Sequence, residues 1–248
     1  MTHRTPQPGP NEPIVVSPPS ARSIMAIAAH PDDIESWAGG TLASALDRGA
    51  EVRLLLVTSG DKGSSDPGDT PADVAQRREE EACEAGRRLG LTDIAFLRYL
   101  DGEVENTREL RQELVAWIRY WKPGVLFTFD PEHPYPPYVS HRDHRAVGQA
   151  AIDAASLLAR DPLFFPEQRT QGLLPHAVRE LWLFASSAPT HWVDIGAGLD
   201  RKIDARLAHL SQTPDRAALD AGWRNRAAEI GHPADLTAAE AFALVPLD

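Results

Sequence analysis

An unbroken apolar run, Ile24 to Ala29, ends abruptly in His30-Pro31-Asp32-Asp33. Runs of this length and β-branched content, bounded by breakers, form buried parallel strands. Pro31 has no amide hydrogen and cannot continue a central strand, so the ladder stops there. One imidazole and two carboxylates therefore arrive together at the carboxyl end of a buried strand, where open α/β sheets bind ligands. Burying three such groups without a partner is costly. A metal ion is the economical compensation, with His30 and Asp33 as ligands and Asp32 aimed at a neighbouring position.

The pattern of apolar runs and helical periodicity continues along the chain. Strands are expected at 23–29, 51–58, 94–97 and 125–129, with two further strands at 180–184 and 191–195. Helical spacing covers 35–47, 73–89 (closed by Gly90), 107–121 (with Thr107 as N-cap) and 141–160. Helices are also expected at 199–210, 216–229 and 237–244. Strands alternating with such helices give a single α/β domain, Rossmann-like, with a mostly parallel sheet flanked by helices. Its boundaries are expected at residues 21–248, after a flexible Pro-rich arm at 1–20 that carries six prolines.

Composition narrows the partners. The formal net charge of −11, with Arg and Lys scattered, argues against nucleic acid and against an anionic membrane surface. No apolar run approaches the roughly 20 residues needed for membrane insertion. The N-terminus has no signal-peptide core, so a cytoplasmic location is expected. A single cysteine, Cys83, excludes an internal disulfide framework and a Cys-rich zinc site. No G-x-G-x-x-G follows the first strand, which counts against dinucleotide binding.

A second polar cluster, Ser140 to Arg145 (S-H-R-D-H-R), follows the fourth strand and opens a helix. At about 100° per residue, His141, Gly148, Ala151 and Ala155 fall within about 60° of His144. Two histidines thus share the stripe of small residues that packs on the sheet. Ordinary capping or packing histidines would look the same. What separates the two readings is that His30 and His144 both sit at carboxyl ends of expected strands.

A-H-P-D-D after the first strand, paired with H-x-D-H after a later one, resembles the LmbE-like (PIG-L) family of zinc-dependent N-deacetylases, from about Ser23 to Ala159. The resemblance implies a hydrolase that removes an N-acyl group, most often acetyl, from a small-molecule amino sugar or glycoconjugate by attack of a zinc-bound water. It implies that His30, Asp33 and His144 bind zinc, that Asp32 is the general base, and that His141 stabilises the transition state with Asp143 beside it. The residue types suit these roles. Three nitrogen and oxygen ligands with an open position are the catalytic zinc arrangement, and a histidine kept charged by Asp143 pairs with a developing oxyanion. Iron, cobalt or manganese would also accept this ligand set.

Three further residues follow from the same resemblance. Arg78 lies with Glu81 on the otherwise apolar stripe of the 73–89 helix. It is a candidate contact to substrate polar groups, with Glu81 as its orienting partner; an i,i+3 surface ion pair is the plain alternative. Asp101, in an Asp-Gly pair after the third strand, matches a sugar-hydroxyl acceptor, and Asp-Gly is also an ordinary turn. Tyr138 stands one step further from H-x-D-H than the family pattern places its oxyanion tyrosine, with Tyr135 and His133 as alternatives. Asp32 itself has a competing use as N-cap of the next helix. Arg145 suits a helix surface. Cys83 falls opposite the buried stripe of its helix, which counts against a catalytic thiol. Two other functions remain compatible: an amidase acting on a thiol conjugate of the mycothiol type, and a non-catalytic Rossmann-like metal-binding protein. The second predicts a closed coordination shell and no use for Asp32. Oligomeric state is not encoded in any readable motif.

Overall fold

Strands that carry apolar side chains on both faces must be covered on both faces, and the computed structural model, which describes residues 13–132 and 141–247, builds the chain around such a sheet. Its strands are β1 (Ile14–Val16), β2 (Ser23–Ala28), β3 (Glu51–Thr58), β4 (Asp93–Tyr99), β5 (Val125–Phe129), β6 (Glu180–Phe184), β7 (His191–Asp194) and β8 (Ala239–Pro246). The helices are α1 (Asp33–Trp37), α2 (Gly39–Asp47), α3 (Pro71–Leu89), α4 (Arg108–Trp121), α5 (Arg142–Asp153), α6 (Leu199–Arg206) and α7 (Arg216–Gly231). The eight strands run in the order β1-β7-β8-β6-β5-β2-β3-β4. All pair in parallel except β8, which is antiparallel to both β6 and β7. The fold is the expected α/β class with a mostly parallel sheet.

From β2 the chain winds outward through β3 to β4, then returns to place β5 on the other side of β2. The β2–β5 boundary, where Ile24 pairs with Val125 and Ala26 with Phe127, is therefore the topological switch point. Crossover connections diverge there and leave a crevice at the carboxyl ends. The next turn of chain after β2 is His30 to Asp33, and α5 begins beside the end of β5. Gly148 lets α5 come close: a Cβ there would stand 2.5 Å from the Phe129 carbonyl oxygen. The small-residue stripe is thus what seats His141 and His144 over the switch point.

Gly90 closes α3 at φ 95°, as expected, but the helix starts at Pro71, two residues before the expected Asp73, because Thr70 and Asp73 form a reciprocal capping box. Thr107 caps α4 through the Leu110 amide. Among the described residues no helix is long and apolar enough to cross a membrane.

Four further expectations change. The helix expected over 35–47 starts earlier and is broken at Ala38, where the Glu240 carboxylate accepts from the Gly40 and Thr41 amides and starts a new helix. The segment 237–244 is not helical. It forms β8, because a gap between β6 and β7 pairs its backbone on both sides, and that pairing outweighs the helix preference of its alanines. The 199–210 helix ends at Arg206 and is followed by a short 3-10 turn at Leu210–Gln212. Within the expected arm, Ile14–Val16 pair with β7 as an edge strand.

Candidate active site

Three chain segments converge at the switch point: the β2–α1 turn, the start of α5 and the turn after β4. His30 Nδ1 lies 3.2 Å from His144 Nε2. The Asp33 carboxylate stands against both, with Oδ2 3.6 Å from His30 Nδ1 and Oδ1 3.3 Å from His144 Nε2. Ligand atoms of a tetrahedral zinc with bonds of ~2.0–2.3 Å are roughly 3.3–3.7 Å apart. The two ring nitrogens have that spacing, and each has one of the two Asp33 carboxylate oxygens at a comparable distance. All three residues are buried, and His144 is fixed by stacking on Phe129, ring centroids 3.9 Å apart.

The other nitrogen of His30 completes the arrangement. Nε2 faces Asp101 Oδ1 at 3.1 Å and Asp143 Oδ2 at 3.2 Å, the carboxylate backing that orients a metal-binding imidazole. Burial works against a charged His30, but Asp101, Asp143 and Asp33 outweigh it, and its pKa is raised well above the ordinary value. Burial opposes ionisation of Asp33 too; His144 and His30 overcome this and hold the carboxyl below its usual range.

Asp143 is the first correction. Its carboxylate makes no hydrogen bond to the His141 ring: Oδ2 also accepts from the Gly102 amide at 2.7 Å, and Oδ1 from Val104 at 3.1 Å. Those bonds tie the turn after β4 to α5 and leave Asp143 behind His30. His141 is instead the N-cap of α5, its Nδ1 accepting from the Asp143 amide at 3.2 Å. That bond assigns the proton of a neutral imidazole to Nε2. Burial, then His30 and His144, push the His141 pKa down against the opposing pull of Asp143 and Asp101.

Asp32 stands beside Asp33 with its side chain one-fifth exposed (20%). Its backbone adopts φ 90° and makes no side-chain cap bond to α1. The competing N-cap role is therefore not realised, and the strain of a non-glycine residue in this region is held by its neighbours. The Asp32 carbonyl accepts from the Ser36 amide and hydroxyl. Its carboxylate contacts Arg206 Nη2 at 3.0 Å through Oδ2, while Oδ1 stands 3.7 Å from Arg78 Nη2. Burial raises the Asp32 pKa against the opposing pull of Arg206 and Arg78.

Arg78 is buried as the stripe on α3 required, but Glu81 is not its partner. Glu81 accepts from the amide and hydroxyl of Ser211. The Arg78 guanidinium donates to the Pro31 carbonyl at 2.8 Å and the Gly60 carbonyl at 3.1 Å, and a Cβ at Gly60 or Gly63 would collide with it. The loop after β3 thus cradles Arg78. Asp101 is at the site, with one oxygen on His30 and the other 3.4 Å from the Lys62 amide. Tyr138, Tyr135 and His133 lie outside the described residues. Cys83 is exposed, as is Arg145.

These residues line a pocket of about 710 Å³, with His30, Asp32, Asp33, Arg78, Asp101, His141 and His144 on its walls. Sequence reasoning missed Ser36, Trp37, Gln212, Trp223 and Arg226 on the same walls, and Arg206 behind Asp32. Arg206 and Lys202 are two cations four residues apart on one short helix, both buried or nearly so. That spacing is the only signal α6 offered.

A family model described as GlcNAc-PI de-N-acetylase (PIG-L) matches residues 25–155, more than half of the 248. The diacetylchitobiose deacetylase of Thermococcus kodakarensis is 34% identical over 194 residues, covering 78% of this chain and 71% of that protein. The 1D-myo-inositol 2-acetamido-2-deoxy-alpha-D-glucopyranoside deacetylase of Streptomyces avermitilis is 34% identical over 174 residues, 60% of this chain. The chain spans 58% of that relative's length. Among solved structures, N,N'-diacetylchitobiose deacetylase from Pyrococcus horikoshii, complexed with its inhibitor MPG, superposes with a TM-score of 0.85 at 31% identity, covering 91% of this chain and 84% of that one.

Proposed function

The chain belongs to the GlcNAc-PI de-N-acetylase (PIG-L) family, and on that premise we propose that it is a zinc-dependent hydrolase removing the N-acetyl group from a 2-acetamido sugar or its glycoside. The observation that carries the reading is the triangle of His30 Nδ1, His144 Nε2 and the Asp33 carboxylate with edges of 3.2–3.6 Å, with the unligated acid Asp32 next to it. Two relatives from distant organisms are both named for N-acetylated amino-sugar substrates, which supports the substrate class.

His30, Asp33 and His144 would hold the ion, and a divalent ion bound there supplies Lewis acidity toward the amide carbonyl. Asp32 takes a proton from the attacking water through Oδ1, its less engaged oxygen, and returns it to the departing amine nitrogen. The Nε2–H of His141 donates to the amide oxygen as charge builds there. Arg78 is locked on the Pro31 and Gly60 carbonyls and presents a fixed cation to sugar hydroxyls, while Asp143 keeps His30 in one tautomer. The products are acetate and a free amino sugar. A binding protein with a closed metal shell has no use for Asp32 or for the Nε2–H of His141.

Acetate release from N-acetylglucosamine, its glycosides and N-acetylglucosaminyl-inositol tests this directly. The reading predicts release that a chelator abolishes and zinc restores. Turnover unaffected by chelation, or none with any of these amides, would overturn it.

A further inference from the structure

A second cavity of about 290 Å³ adjoins the pocket and shares Ser36, Trp37, Trp223 and Arg226 with it. We infer that this chamber receives an apolar or aromatic group attached to the N-acylated sugar, so that the enzyme prefers substrates larger than a simple acetamido sugar. The inference rests on the reading of the site as an amide hydrolase.

Three tryptophans line the chamber: Trp37 from α1, Trp192 from β7 and Trp223 from α7. On α7 the residues Trp223, Arg226, Ala227 and Ile230 fall at helical spacing on one face, which is the face turned to the cavity. The polar groups around it are already spoken for. Lys202 Nζ pairs with Glu240 Oε1 at 2.6 Å and donates to the Ser36 carbonyl at 3.0 Å. Glu240 also accepts from two α2 amides. The Trp192 indole donates to the Ile230 carbonyl at 2.8 Å. Arg226 Cζ stands over the Trp37 ring, 4.2 Å from its centroid, and over that of Trp223 at 5.2 Å, which directs its charge onto indole faces. What the chamber offers an occupant is therefore mainly ring surface and methyl groups. An apolar cavity of ~150 Å³ is enough for benzene, so this one holds a six-membered ring and several further carbons.

Two parts of a substrate can supply such a group, the acyl chain or the substituent on the sugar. The test compares kcat/KM for N-acetylglucosamine, its phenyl glycoside and N-hexanoylglucosamine in the wild type, in Ala241→Leu and in Ile230→Phe. Both substituted residues line only the chamber, and thermal melts show which variants fold. One larger substrate should exceed N-acetylglucosamine by on the order of 10- to 100-fold, and the filled variants should lose that advantage while keeping the N-acetylglucosamine rate. A gain for the phenyl glycoside places the sugar substituent in the chamber, and a gain for the hexanoyl amide places the acyl chain there. Equal values for all three in the wild type, or a gain that survives filling, would overturn the inference. Binding of phenyl glucosaminide, read by tryptophan fluorescence, needs no turnover. Quenching that the filled variants abolish supports the chamber even if N-acetylglucosamine is not hydrolysed, and absence of quenching in the wild type counts against it.

Discussion

Arg206 Nη2 stands 3.0 Å from Asp32 Oδ2, joining the last turn of α6 to the turn that ends β2. The same guanidinium reaches Ser36 Oγ with Nε at 3.3 Å and Thr213 Oγ1 with Nη1 at 3.2 Å. With all three nitrogens engaged, Arg206 is itself fixed, and it fixes the carboxylate that the proposed reaction uses as base.

Replacing Arg206 with Gln should therefore lower kcat by about 10- to 100-fold, the cost of slightly misplacing a catalytic group, while KM changes little. Arg206→Lys should recover part of the loss. Metal content measured alongside should be unchanged. A variant with wild-type kcat, or one that loses metal, would show that Arg206 does not act through Asp32.

Asp32→Asn keeps the shape of the side chain and removes its basicity. Turnover should fall by roughly 10²- to 10⁴-fold with full metal occupancy. Residual activity near the wild type would remove Asp32 as the base.

Gly60 is held at φ +65° directly against Arg78. Gly60→Ala should destabilise the fold by about 1–2 kcal/mol for the left-handed backbone, and by more where the new methyl meets the guanidinium. It should also raise KM by displacing Arg78. Gly49, at φ +87° with nothing within 4 Å of its Cβ position, is the control. Gly49→Ala should show a comparable backbone cost and unaltered kinetics. Equal kinetic effects at both positions would contradict the cradle.

On the solvent side of α3, Arg87 and Arg88 hold the Glu84 carboxyl down to about 2 from its usual 4.5. A depressed carboxyl stabilises the fold above its unfolded pKa and loses that contribution as pH falls through the folded value. The gap in melting temperature between the wild type and Glu84→Gln should therefore be constant above about pH 5 and close as pH falls from 4.5 toward 2. A gap that widens in acid would reverse the assignment.

The β2 run and the A-H-P-D-D and H-x-D-H clusters were legible because each is local: a strand that must end, and a helix whose small residues require close approach to the sheet. Ala239–Pro246 was misread because an alanine-rich segment carries no strand signal of its own; the gap between β6 and β7 makes it a strand. Glu81 shares a helical stripe with Arg78, but helix spacing says nothing of Ser211, which lies 130 residues away in sequence and takes its carboxylate. Asp143 follows the same rule: neighbour in sequence to His141, it bonds to residues after β4. Arg206, Trp223 and Arg226 come from α6 and α7, where no motif marks the residues. Their place at the site follows from how the final third of the chain folds back over the β2 end.

The central claim is that His30, Asp33 and His144 share one divalent ion. Elemental analysis of purified wild type, Asp33→Ala, His144→Ala and Asp32→Asn tests it most directly. The account predicts about one zinc per chain in the wild type and in Asp32→Asn, and strongly reduced metal in the two ligand variants. Metal absent from the wild type, or retained in full by Asp33→Ala and His144→Ala, would contradict it.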